Sequence, residues 1–182
     1  LRAYQEGVEL WMRASPQEAL GKFEAASDAA PGRPEPWLMR GRCLMRLKRP
    51  DEAEGAWARA LALDPAFGPA LLERGKHVVG AYVRLRLPPP ARSSGGRLRF
   101  GAPDPETAED RAWRAKGEEY LARARAATGL APEEIRFIEG ALDFGRGRYA
   151  ESAAALREYG ARNRWDGSAA ALLGAACYLS GD

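Results

Sequence analysis

Side chains able to do chemistry are few in this chain, and they are scattered. His77 is the single histidine among 182 residues. With no second histidine and no suitably spaced cysteine, it can neither complete a metal site nor activate a nucleophile. Cys43 and Cys177 lie far apart and match no metal spacing, so they read as small core residues of a reducing compartment. Gly75-Lys76 is followed by His77, and no glycine precedes it at the spacing of a phosphate-binding loop. The carboxylate pairs Glu118–Glu119 and Glu133–Glu134 fit helix starts and exposed faces, where nothing positions them for acid–base work. The expectation is a non-enzymatic chain with no catalytic residue, no metal and no cofactor.

What remains is arginine. The formal net charge is only +3, yet most of the positive charge is arginine, and it is unevenly placed. That pattern suggests a local basic surface more than a nucleic-acid-binding chain. A hydrophobic content of 46% is enough to bury a core. The longest apolar run, residues 169–179, is shorter than the roughly 18 residues of a membrane helix. No charged and apolar leader opens the chain, and a cytoplasmic location is expected.

The positioning elements follow from a period. Gly7, Gly41 and Gly75 are each 34 residues apart, and so are Gly140 and Gly174. Around Gly41 stand Trp37, Leu44, Ala53, Trp57, Ala60 and Pro65; around Gly7 stand Leu10, Ala19, Phe23, Ala26 and Pro31. Each unit carries two apolar stripes at helical spacing, divided by turn residues and closed by proline. Two short antiparallel helices result, with small residues where they must approach closely. One such pair cannot bury its apolar face, so neighbouring pairs must stack.

This pattern closely resembles the tetratricopeptide repeat. The resemblance implies an all-α fold, a right-handed superhelix of antiparallel helix pairs. It places units at about residues 1–33, 34–67, 68–132 and 133–166, with a half-unit at 167–182. Both ends fall inside a unit and the chain does not begin with methionine, which suggests a piece of a longer protein. Departures from the family pattern are Arg40 for the leucine before Gly41, and Arg136, Asp143 and Ser152 at the tryptophan, tyrosine and alanine positions of the fourth unit. Ser15, Pro16 and Glu18 predict a capping box at the second helix.

From Gly75 to Gly140 the interval exceeds one period, and residues 85–106 are rich in proline, glycine and arginine. Counting back from the fourth unit puts Pro132 at the closing proline and Tyr120, Ala124 and Ala127 on a second helix. The stretch is therefore expected to be an insertion inside the third helix pair, irregular over about 86–104. The following helix is expected to reach back to about residue 105, capped by Asp104.

In tetratricopeptide arrays the first helix of each pair lines the concave surface through positions 2, 5, 9, 12 and 13 of the repeat. Carried onto this chain, the resemblance selects Tyr4, Val8, Trp11 and Met12, then Leu38, Arg42, Met45 and Arg46. The third unit gives Leu72, Lys76 and Val79, the fourth Phe137, Ala141 and Phe144, and the half-unit Ala175 and Tyr178. A groove so lined is apolar with a basic centre, and suits a protein or peptide partner that is acidic and amphipathic. The chaperone-tail carboxylate clamp of some family members is not expected, because Tyr4, Val8, Met39, Pro69 and Glu73 occupy its positions. Arg86, Arg92, Arg97 and Arg99 with Phe100 in the insertion offer the alternative of a bound nucleic acid or phosphorylated partner. A further alternative is an architectural or oligomerising segment of a multidomain bacterial signalling protein, such as a Ser/Thr kinase. The leading expectation is a scaffold or adaptor that binds a partner non-covalently in the groove.

Overall fold

The computed structural model describes residues 2–87, 104–127, 130–164 and 166–181, together with the backbone of 90–92 and 98–100. Its architecture is a series of antiparallel helix pairs. α1 (Arg2–Met12) pairs with α2 (Pro16–Ala29), and α3 (Pro34–Arg46) with α4 (Pro50–Leu63). α5 (Gly68–Arg86) and α6 (Ala108–Ala126) belong to the third unit, α7 (Pro132–Gly145) and α8 (Tyr149–Arg162) form the next pair, and α9 (Gly167–Ser180) follows. The chain divides into two compact units, Leu1–Arg74 and Gly75–Asp182, with the division inside α5.

Proline opens α2, α3, α4 and α7. Its missing N–H costs nothing in the first turn of a helix, where that donor has no intrahelical partner. The turns inside three pairs are built alike. Ala14, Lys48 and Gly147 take φ of 58°, 61° and 78°. Immediately after each, the N–H of Ser15, Arg49 and Arg148 donates to the carbonyls of Leu10, Leu44 and Asp143 at 3.0, 2.9 and 2.9 Å. This is the left-handed closure that satisfies the last carbonyls of a helix. Ser15 is thereby held by its backbone, and its side chain makes no cap hydrogen bond, contrary to the expected capping box.

Within the pairs, the small residue of the first helix receives a large one from the second. A Cβ at Gly7 would lie 2.8 Å from Phe23, and one at Gly140 would lie 2.8 Å from Leu156. At Gly41 it would overlap the Trp57 indole. Phe23, Trp57 and Leu156 are all fully buried, with alanines or Ser152 beside them in the core. Trp37 is half-buried rather than core, with the guanidinium of Arg40 4.3 Å from its ring centre. Trp165 lies outside the described residues.

Contacts between successive pairs have a charge polarity. Arg40 of α3 donates to Ser27 Oγ of α2 at 3.0 Å and lies 3.8 Å from Glu24. Arg74 of α5 is paired with Glu54 of α4. At the α6–α7 junction the signs are exchanged, since Glu139 of α7 takes Arg125 of α6 at 2.5 Å.

The third unit differs from the expectation. α5 and α6 are each 19 residues long, whereas α2, α4, α7 and α8 have 14. Between them, Pro90–Arg92 pairs antiparallel with Leu98–Phe100 as two short strands, β1 and β2. So 86–104 is not wholly irregular, and among the described residues the all-α fold carries this small exception. α6 starts later than expected, because Thr107 rather than Asp104 forms its cap. Thr107 Oγ1 accepts from the Asp110 N–H at 3.1 Å, and Asp110 accepts from the Thr107 N–H at 2.8 Å. Tyr120 and Ala124 are buried as expected, but Ala127 is the half-buried C-cap.

The residues flanking the hairpin are bound into the fold. Tyr82 is fully buried and donates its hydroxyl to Glu106 at 2.7 Å. Arg86 donates to the Gly145 carbonyl at the end of α7, at 3.1 Å, and to the Asp104 carbonyl at 2.7 Å. It also lies 3.6 Å from the buried Asp110 carboxylate. Replacing residues 88–103 by a short flexible linker should leave far-UV circular dichroism and urea midpoint close to those of the intact chain. Excising 86–104 instead removes Arg86 and Asp104, and should lower the midpoint clearly. Equal midpoints for the two deletions would contradict the anchoring.

Candidate functional site

The candidate site residues fall in both compact units, and the two sets differ in exposure and in charge partners. In residues 2–74, α1, α3 and the first turns of α5 contribute them. Leu38 and Leu72 are buried at 6% and 5% exposure, which takes them out of reach of a ligand. Tyr4, Val8, Trp11, Arg42 and Met45 are half-buried, Arg46 is exposed, and Met12 is 81% exposed. The members of this set that reach solvent are thus Tyr4, Val8, Trp11, Met12, Arg42, Met45 and Arg46.

Its two arginines are in different states. Arg42 donates through Nε to Glu73 of α5 at 2.8 Å. Arg46 has its guanidinium carbon 3.7 Å from the centre of the Trp11 ring. That is close enough for attraction between the cation and the negative ring face, strongest for tryptophan. Glu73 was not among the expected site residues. It sits 31 residues after Arg42, one period less three, so a search for opposite charges at that offset would have found it.

At the other end of α1 and α3, Tyr4, Ala26, Ala30 and Pro36 line a mainly apolar cavity of about 370 Å³, with Arg33 and Glu35 on its rim. Arg33 and Glu35 are joined by two hydrogen bonds of 2.9 and 3.3 Å. Burial first, and then the Glu35 carboxylate, push the Tyr4 phenol above its ordinary pKa. The Arg33 hydrogen bond holds the Glu35 carboxyl below its usual value, against burial.

In residues 75–182, Val79, Phe137 and Phe144 are buried, at 0%, 7% and 1% exposure. They form core, not an open lining. Lys76 donates to the Tyr159 hydroxyl at 2.8 Å, and that hydroxyl donates to Asp166 at 2.7 Å. Asp166 in turn caps α9 by accepting from the Ser168 and Ala169 N–H groups. Lys76 therefore helps to hold the start of α9. A charged cleft of about 610 Å³ lies between α6, α7 and α8. Its arginines are met by its own carboxylates: Arg136 by Glu139 and Glu158, and Arg148 by Asp143. This also shows what the unusual Arg136 and Asp143 of the fourth unit do.

The expected site residues of the insertion give no side-chain geometry. Arg97 lies outside the described residues, and Arg92, Arg99 and Phe100 are described only as backbone of the two strands. Among the described residues, no group of histidine, cysteine, aspartate and glutamate could hold a metal ion. No helix among them is long and apolar enough to cross a membrane.

The comparisons with known proteins agree with the helix-pair architecture. The family model described as tetratricopeptide repeat matches residues 10–73. No curated protein is significantly similar to the chain in sequence. Among solved structures, PilW, a widely conserved type IV pilus biogenesis factor, aligns with a TM-score of 0.64 at 19% identity, over 97% of this chain and 72% of PilW. MamA from Desulfovibrio magneticus RS-1 aligns with a TM-score of 0.58 at 15% identity, over 98% of this chain and 93% of that one. A tetratricopeptide repeat protein from Parabacteroides merdae gives 0.60 at 16% identity, with 98% of this chain matched to 58% of that one. At such identities the likeness is one of fold alone.

Proposed function

Because residues 10–73 match the tetratricopeptide repeat model and the helix pairs continue beyond them, we propose that the chain works by binding an acidic, amphipathic segment of a partner protein on the first-helix face of residues 2–74. The fold is that of a protein–protein interaction scaffold, and repeats of this kind are typically non-enzymatic. One observation carries the finer reading: the accessible face joins two arginines, Arg42 and Arg46, to the apolar and aromatic surface of Val8, Trp11 and Met45. Such a face can take apolar anchors at its centre and carboxylates beside them. The cavity beside Tyr4 and Pro36 has room for an apolar side chain.

Charge reversal tests it. Arg42→Glu combined with Arg46→Glu should abolish recovery of specific partners in quantitative pull-downs, with the helical circular dichroism unchanged. Partner recovery undiminished by the double substitution, in a folded variant, would show that binding occurs elsewhere.

A further inference from the structure

We propose that Arg46, stacked on Trp11, is the group that receives a partner's carboxylate, while Glu73 occupies Arg42 as a resident competitor. The proposal deepens the reading of the first-helix face and rests on it. Its basis is the contrast between two arginines one helical turn apart on α3.

Arg42 is already neutralised. Glu73 reaches it from α5 at 2.8 Å, and their side chains are only 33% and 20% exposed. A partner acid arriving at Arg42 must displace this pair, so it gains only the difference between two similar interactions. Arg46, in contrast, has no carboxylate within ion-pair distance among the described residues. Its guanidinium lies over the Trp11 ring at 3.7 Å. Stacking leaves the N–H edge of the plane open to a carboxylate, in the forked geometry that arginine offers and lysine does not. Stacking also fixes the long side chain, so less rotamer freedom remains to be lost on binding.

The occupant has a definite chemistry. Trp11 follows Tyr4 by seven helical residues, so the stacked guanidinium and the Tyr4–Pro36 cavity are separated by about 10 Å along α1. A segment with one apolar residue and one glutamate fits that separation if they stand seven apart in a helix, or three apart in an extended strand. Charge sets the polarity. The apolar residue goes to the cavity, where the Arg33–Glu35 pair leaves no net charge, and the acid goes to Arg46.

Two series of fluorescein-labelled, end-capped peptides would test this by anisotropy against the full chain. In one, leucine and glutamate are separated by three positions; in the other, by seven. Each peptide has a twin with glutamine for glutamate. The wild-type chain should prefer the glutamate peptide of at least one series about tenfold, the size of one charge-assisted hydrogen-bonded pair. Arg46→Gln should erase that preference, and Trp11→Leu should reduce it. Glu73→Gln should strengthen binding of glutamate peptides by freeing Arg42, while circular dichroism stays unchanged. Glutamate peptides that bind well to Arg46→Gln, yet lose affinity in the Arg42→Glu/Arg46→Glu variant, would overturn the assignment and keep the broader reading. If the wild-type chain shows no preference for glutamate in either series, the assignment and the acidic-partner reading fall together.

Discussion

Trp57→Ala should lower the stability of the folded array by about 3–5 kcal/mol, the usual cost of truncating a fully buried aromatic to alanine. The indole is 1% exposed and lies against the α-carbon side of Gly41. Its removal leaves a hole that a helix pair fixed by its turns cannot close. The converse substitution, Gly41→Ala, adds a methyl group where the indole already stands, and should cost about 1–3 kcal/mol. The two effects must interact. In a Trp57→Leu background the added methyl has room, so Gly41→Ala should there cost less than half as much, a coupling within the range found for contacting residues. Urea midpoints of the four chains, followed by far-UV circular dichroism, measure all of this. Strict additivity would show that Gly41 is not held small by Trp57.

Arg86→Ala should destabilise the second unit by a similar amount, about 3–5 kcal/mol, for an electrostatic reason. Arg86 and Asp110 have side-chain exposures of 9% and 7%. Deleting the cation leaves a buried carboxylate with one counter-charge fewer, and leaves the carbonyls of Gly145 and Asp104 without their donor. Replacing both ends, Arg86→Met with Asp110→Asn, should recover much of the loss, because breaking a buried pair costs more than exchanging it for neutral groups. The pair also confers acid sensitivity. The Thr107 N–H, then its hydroxyl, and then Arg86 hold the Asp110 carboxyl below its ordinary pKa, against burial. Its folded-state pKa is depressed, so its contribution is complete above the unfolded value of about 3.9 and is lost as pH falls through the folded one. Asp110→Asn should therefore be less stable at neutral pH, yet lose less stability between about pH 5 and pH 2. Parallel acid-unfolding curves for the two chains would contradict this role.

The repeats and their helix pairs were legible in the sequence because one physical requirement recurs at one interval. Gly7, Gly41 and Gly140 must be small wherever Phe23, Trp57 and Leu156 press on them, and that need writes itself into the residue types. Caps were less legible. Ser15 and Asp104 have the right side chains, but their use depends on backbone angles set by the neighbouring turn, and Thr107 takes the place expected of Asp104. The lining was partly misread for a related reason. Leu38, Leu72, Val79, Phe137 and Phe144 occupy family groove positions, yet whether such a residue faces a ligand depends on how closely adjacent helices pack. The long third pair was hidden because periodicity says nothing about helices that outgrow the period. Arg86 and Tyr82 had no visible partners until Glu106 and Asp110 were brought to them in space.

The charge polarity of the junctions, shared by the first two and reversed at the α6–α7 one, bears on how such an array can lengthen by duplication. A tandem copy of residues 34–67 would bring its own Arg40 to the position facing the Glu54 end and its own Glu54 to the position facing Arg74, so every new seam would join opposite charges. The same copy placed between α6 and α7 would set arginine against Arg125 and glutamate against Glu139. An added unit would thus find complementary charge at the first two seams and like charge at the α6–α7 one, a difference of about 1 kcal/mol per pair.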